Sequence, residues 1–198
     1  MELHFALIRF LLLFSFIPSL LINIIISAKT PNNLISEVCN KTRNPSLCSQ
    51  ILKSNRKALE ASSPLELGEI AINLSISSAQ STKKTTVMRR FLRTRDRVLK
   101  DRYKYCATNY DSAVHYLKSA NFFLKLGIFL KLAGYTAAAL NEPIYCRESF
   151  AKQPPAEPAW LKKGNDKLEC LCSVVLVISN RLSGKKISVL ESKNMYLD

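Results

Sequence analysis

Cys39 and Cys48 bracket Asn-Lys-Thr-Arg-Asn-Pro-Ser-Leu directly downstream of a hydrophobic leader, and no other stretch constrains the fold as much. A chain exported through such a leader reaches an oxidising compartment, where two cysteines this close in sequence stay bonded and shut a local loop. A cross-link is therefore the first expectation. The leader runs from Met1 and Arg9 through an apolar stretch, Phe10 to Ile26, to the small residues Ser27 and Ala28, the order needed for insertion and cleavage. Residues 1–28 read as a signal peptide, and the mature chain as starting at Lys29. The rival is an uncleaved anchor, because the apolar stretch lies at the lower limit of a bilayer span; Pro18 and Asn23 weaken it.

Residues 29–198 suffice for one domain that buries well over half of its unfolded surface. The leader takes with it one acid, Glu2, and one base, Arg9, so the net formal charge of +14 belongs to the folded part. Five glycines in the whole chain are too few for the turns of a sandwich or barrel, while leucine, alanine, lysine and serine fill long unbroken runs. The composition favours an all-α fold.

Ser63-Pro64-Leu65-Glu66 marks a helix start, with serine as N-cap, proline in the first turn and glutamate able to cap in return; the helix reaches to about Arg93. Leu99, Tyr103, Cys106, Tyr110, Ala113, Leu117 and Ala120 alternate steps of four and three, one apolar stripe along a second helix. A third is expected from Ile128 to Leu140, ended by Asn141 and Pro143 and closely packed through Ala137 to Ala139. Gln153 to Pro158 is proline-rich and reads as a stiff extended connector. The last helix carries Leu161, Leu168, Cys172, Val175, Ser179 and Leu182 on its seam and closes at Ser183-Gly184. Four such helices pack most simply as an antiparallel four-helix bundle, residues 63–198, with a small helical hairpin, residues 29–62, outside it.

Six cysteines allow fifteen full pairings, and sequence alone does not choose among them. Helix geometry narrows the choice: Cys39 and Cys48 can close across the Pro45 turn, and Cys106 and Cys146 can staple the second helix to the third. Cys172 lies on the apolar stripe of the last helix and suits a buried free thiol. Cys170, off that stripe, reads as an exposed thiol able to link two molecules, so a monomer and a Cys170-linked dimer are both open.

Leu34-Ile35-Ser36-Glu37-Val38-Cys39 followed by Lys41-Thr42-Arg43-Asn44-Pro45-Ser46-Leu47-Cys48 closely resembles the opening of plant pectin methylesterase inhibitors, in the larger family shared with invertase inhibitors. The resemblance continues through Leu99 to Tyr103 and Cys106, Asn109-Tyr110 with Ala113, Ala137 to Leu140 before Cys146, and Lys167-Leu168-Glu169 with Val175 to Asn180. It implies a four-helix bundle with an N-terminal hairpin and disulfides Cys39 with Cys48 and Cys106 with Cys146. The family's unpaired fifth cysteine corresponds to Cys172, which leaves Cys170 as the extra one.

The function implied is inhibition without chemistry: a secreted, apoplastic protein docks one-to-one over the substrate cleft of a pectin methylesterase. The residues fit a non-enzyme. After the leader the chain offers one histidine base, His115, with no GxSxG elbow, and it carries no HExxH, CxxC, GxGxxG or P-loop pattern, so neither a metal nor a cofactor is expected. His115 sits off the apolar stripe and reads as an ordinary surface imidazole, while Tyr103 and Tyr110 read as core. For the enzyme contact the resemblance points to exposed polar positions Thr108, Asn109, Ser112, His115, Tyr116 and Ser119, with Tyr135 and Thr136 opposite. Family members often carry acids two and six residues after the third cysteine, where this chain has Thr108 and Ser112. Gly127-Ile128-Phe129 likewise replaces a more polar Gly-Asp-Tyr-like turn.

Charge is the largest departure. Lys83, Lys84, Arg89, Arg90, Arg93, Arg95, Arg97, Lys100, Arg102 and Lys104 crowd one helix end and the next helix start, against Asp96 and Asp101. Such a cluster is either a solvated, self-repelling corner or an attractor for a polyanion. Nucleic acid is not expected outside the cell, nor is a membrane after leader removal; de-esterified pectin and an acidic esterase isoform are the partners that fit. Asn40-Lys41-Thr42 and Asn73-Leu74-Ser75 are glycosylation acceptors, with Asn40 preferred because Asn73 falls within a helix. The alternatives are an invertase inhibitor, disfavoured by the lack of Pro-Lys-Phe, and a non-inhibitory basic wall protein that holds de-esterified pectin.

Overall fold

The computed structural model describes residues 31–151 and 154–184, without the side chains of Pro31 and Asn32. The leader, the start at Lys29 and Gln153 of the connector lie outside the described residues. The chain forms α1 (Pro31–Cys39), α2 (Pro45–Lys53), α3 (Arg56–Glu60), α4 (Pro64–Ser81), a π-helical turn (Thr82–Val87), α5 (Met88–Arg93), α6 (Arg97–Lys125), α7 (Phe129–Ala151) and α8 (Ala159–Ser183).

Local chemistry sets most of these boundaries. The side chains of Asn44, Asn55, Ser63 and Asp96 accept the N–H of Leu47, Ala58, Glu66 and Leu99, satisfying donors that the first helical turn leaves orphaned. Pro45 and Pro64 occupy the first turn, where no N–H is needed. Glu66 reaches back as expected, but to Ser62, one residue before the cap: its Oε2 accepts from the Ser62 N–H at 2.8 Å and Oγ at 3.0 Å. That bond holds the Glu66 carboxyl below its ordinary range. At the far end of α8, Gly184 takes φ 65°, a left-handed cap that suits glycine.

Cys39 and Cys48 are bonded, with Cα atoms 5.4 Å apart, and join the end of α1 to the first turn of α2. Thr42 tightens the loop by donating to the Cys39 carbonyl at 2.8 Å. The second disulfide ties Cys106 on α6 to Cys146 on α7, with Cα atoms 4.7 Å apart.

The helix directions follow from pairs that cross between them. Lys83 meets Asp111 while Lys125 meets Glu69, so α4 and α6 are antiparallel. Cys106 bonds Cys146 while Phe123 stacks on Tyr135 at 5.2 Å, which runs α7 against α6. Arg147 meets Asp166 while Ser179 donates to the Phe129 carbonyl, which runs α8 against α7. Positions 68 and 164 close the square, since Gly68 faces Ile178 and Gly164 faces Thr82. The result is the expected antiparallel four-helix bundle of α4 to α5, α6, α7 and α8, with α1 to α3 packed beside α8 and α4. A Cβ at Gly164 would stand 2.5 Å from the Thr82 methyl, so a glycine is what lets α8 approach the π turn.

Several expectations change. The first bundle helix does run to Arg93, but through the π turn, where the Thr85 hydroxyl back-bonds to the Ser81 carbonyl and the register shifts. The third helix does not stop at Asn141: α7 continues through Pro143 to Ala151. Proline forfeits one helical bond, yet Cys146 is cross-linked and Phe150 packs on Tyr103 at 5.9 Å, so tertiary contacts carry the helix across the break. The connector is not extended throughout, for the chain bends at Pro154 and Pro155, whose peptide bond is cis. Cys170 is not an exposed thiol: it is buried, its Sγ 4.0 Å from the Asn44 carbonyl, and burial pushes its pKa up to about 11. The hairpin covers the side of α8 that the bundle leaves open, which removes the basis for a Cys170-linked dimer.

Candidate contact face and basic corner

Asp96 caps α6 and an apolar stripe anchors it, so its register is fixed for all 29 residues. Tyr103, Cys106, Tyr110, Ala113, Leu117, Ala120 and Leu124 point inward. Tyr110 is fully buried and its hydroxyl donates to Asn165 Oδ1 at 2.6 Å; burial raises its pKa. Asn165 in turn donates to Glu157 at 2.6 Å. Arg147 meets Asp166 at 2.7 Å, Glu169 at 2.6 Å and Glu157 at 3.5 Å; burial favours proton loss, but these anions outweigh it and hold the pKa above its ordinary value. This network fastens the connector to α7 and α8 beside the Cys106–Cys146 bond.

The opposite side of α6 presents the contact candidates. Thr108 and His115 are exposed, while Ser112, Tyr116 and Ser119 are half-buried. His115 lies edge-on to Tyr116 at 6.0 Å, and no ligand cluster forms around it among the described residues. Tyr135 on α7 is half-buried against Phe123. Two candidates are corrected. Thr136 is 0% exposed and donates to the Leu132 carbonyl at 2.7 Å. Asn109 is buried, with an Nδ2 that finds no partner among the described residues. Asn109 lies one helical step from exposed Thr108, and Thr136 one step from half-buried Tyr135, so a turn of about 100° per residue carries both inward.

Sequence reasoning missed Glu142. It is buried on α7, and burial alone raises its carboxyl to about 7. Its place one turn before Cys146 is the available signal, masked in the sequence by Pro143, which reads as a helix stop.

The basic corner is thinned by two. Arg102 is buried, donating to the Pro155 carbonyl at 3.0 Å with its guanidinium 5.4 Å from the Phe150 ring. Lys83 is spent on Asp111 at 2.6 Å. Lys84, Arg89, Arg90, Arg93, Arg95, Arg97, Lys100 and Lys104 are exposed, and none makes an ion pair among the described residues. Arg90 sits 5.8 Å over Trp160 and Lys100 5.4 Å over Phe91, which holds both stems against the surface. The acceptor candidates Asn40 and Asn73 are both exposed, Asn73 on the outer face of α4.

A family-wide profile described as plant invertase/pectin methylesterase inhibitor matches residues 33–178. The chain is similar to a pectinesterase inhibitor of Actinidia deliciosa, 43% identical over 161 residues that cover 81% of this chain and 85% of that protein. Against pectinesterase inhibitor 2 of Arabidopsis thaliana the identity is 30% over 155 residues, covering 75% and 83%. Its fold resembles crystal structures of a pectin methylesterase inhibitor from Arabidopsis, in a mutant form at TM-score 0.66 and 24% identity over 74% of this chain and 95% of that one. A further such structure from Arabidopsis thaliana gives 0.57 at 25% identity, over 75% and 95%. These relatives are inhibitors and not enzymes. With its two disulfides, its bundle and a match over most of its length, the chain belongs to the plant invertase/pectin methylesterase inhibitor family.

Proposed function

We propose that the chain is a secreted, apoplastic inhibitor of pectin methylesterase that docks one-to-one over the enzyme's substrate cleft and keeps pectin from the catalytic carboxylates. The observation that carries this is the 43% identity with the Actinidia pectinesterase inhibitor across 81% of the chain. Thr108, Ser112, His115 and Ser119 on α6, with Tyr116 and with Tyr135 on α7, form the contact face in this reading. Neutral hydroxyls at Thr108 and Ser112 make ordinary hydrogen bonds, roughly half as strong as the charge-assisted bonds that acids there would make. Blocking needs only that the bundle occupy the cleft, so no catalytic group is required.

The net charge of +14 disfavours a basic esterase and favours an acidic isoform through long-range attraction. Retention on acidic pectin follows from the same charge. Burial of Cys170 favours a monomer, and Asn40 is the preferred glycan acceptor, with Asn73 second. The absence of Pro-Lys-Phe argues for the esterase over invertase.

The test is to titrate protein spanning 29–198 against acidic and basic pectin methylesterases and an acid invertase at two salt concentrations. Saturable inhibition of an acidic esterase, weaker at high salt, supports the reading. Inhibition of invertase alone replaces the target, and no inhibition by a protein with both disulfides and full helicity leaves the non-inhibitory wall protein.

A further inference from the structure

We infer that the α5–α6 corner is a binding site for runs of adjacent uronate carboxylates, and that it directs inhibition to pectin the esterase has already processed. The inference rests on the esterase reading, because hydrolysis of methyl esters leaves a linear polycarboxylate where that enzyme works.

The geometry is that of a track. Arg97, Lys100 and Lys104 occupy positions three and four apart on α6, so they share one exposed face, with side chains about 5–6 Å from the next. That spacing is comparable to one pyranose ring, which makes one cation per sugar carboxylate feasible. Lys100 over Phe91 shows that this face adjoins α5, whose Arg89 and Arg93, four apart, add exposed cations on the flank turned away from Phe91. The next positions along the same face of α6 are Thr108 and Asp111, and Asp111 is neutralised by Lys83. Thr108 stands where an acid would interrupt the row. The row therefore ends at a shallow cleft of about 530 Å³ lined by Gln80, Lys83, Lys84, Met88 and Asp111, with Lys84 as an unspent cation and Met88 as an apolar surface for a sugar face.

Of the nearby acids, Asp96 caps α6 and Asp101 stands beside the row; both are exposed, and the cations around them outnumber them. Eight exposed cations in this space repel one another, and a polyanion relieves that repulsion when it binds. An isolated carboxylate gains little from an exposed cation, whereas adjacent carboxylates engage several at once. The site therefore favours block-wise over scattered de-esterification. Since Thr108 also opens the contact face, polymer held in the row lies next to any esterase docked there.

The experiment measures binding of the glycan-free protein 29–198 to two pectins of equal total charge, one de-esterified in blocks and one at random, by calorimetry at low and high salt. Block-wise pectin is expected to bind about tenfold tighter, with the advantage shrinking as salt rises. Arg93→Gln/Arg97→Gln/Lys100→Gln removes that advantage, while Lys41→Gln/Lys53→Gln/Lys57→Gln, which loses the same charge elsewhere, retains it. Equal affinity for the two pectins, equal loss in both variants, or equally tight binding to anionic phospholipid vesicles of matched charge would overturn the inference. No esterase enters the assay, so failure here is distinct from failure to inhibit. Circular dichroism of both variants separates lost binding from lost fold.

Discussion

Where α6 begins, eight exposed cations stand over a disulfide, a buried tyrosine–asparagine–glutamate chain and an arginine shared by three carboxylates. Where it ends, about 43 Å away at 1.5 Å per residue, Phe122, Leu126, Ile128 and Leu130 are exposed around the Gly127 turn, and Leu65 at the start of α4 faces water at the same end. There, among the described residues, the one ion pair between α4 and α6 is the surface pair Lys125–Glu69 at 3.5 Å. The contrast has a physical reason. Crowded like charge opposes compaction, so the basic end is stable only if cross-links and buried polar bonds offset the repulsion. The apolar end carries no such cost and is held mainly by packing, with the Ser179 hydroxyl donating to the Phe129 carbonyl and the Lys125–Glu69 surface pair. Gly127 there adopts φ 70°, which lets the chain reverse in one tight turn.

Removing the brace at the basic end is the largest test of this difference. Cys106→Ala with Cys146→Ala is expected to cost about 2–5 kcal/mol in urea unfolding, and more at low salt, where the corner is unscreened. A salt-independent loss would break the link between charge and cross-link.

Glu142 sharpens the comparison through pH. Its carboxyl titrates near 4.5 when unfolded and at about 7 when folded, so the native state holds the proton more tightly. Stability from this group is therefore full below about 4.5 and is lost as pH rises through about 7, by about 3 kcal/mol in all. Glu142→Gln should flatten that decline in thermal melts from pH 5 to 8; an unchanged slope contradicts it.

At Gly164 the expected loss is smaller. Gly164→Ala forces Thr82 away from α8 at a cost of about 1–3 kcal/mol, with hydrogen exchange rising first at the π turn. Uniform exchange along the bundle would show that the two ends are not separately braced. The smallest effect belongs to the apolar end, where Leu126→Ser with Ile128→Ser should move stability by no more than about 0.5 kcal/mol while reducing any self-association seen by light scattering.

Most of the bundle was legible because burial imposes a period on sequence: the Leu99 to Ala120 stripe and the Ser63 and Gly184 boundaries return in α6, α4 and α8. What escaped depends on a partner element. Pro143 is a helix stop locally, and only the Cys146 bond and the Phe150 packing override it. Cys170 lies off the stripe that faces the bundle, yet the N-terminal hairpin buries it. Arg102 reads as one more corner cation until the Pro155 carbonyl and the Phe150 ring come to meet it. The contact face was half legible for the same reason, since Asn109 and Thr136 are polar residues turned inward by a single step of helix.

The most direct test of the central claim is an active-site titration of a pectin methylesterase with the full mature protein, at enzyme concentrations well above the dissociation constant. The account predicts a linear fall in activity that breaks at one inhibitor per enzyme. Undiminished activity across a panel of acidic and basic esterases, with both disulfides and the helical content intact, would contradict it.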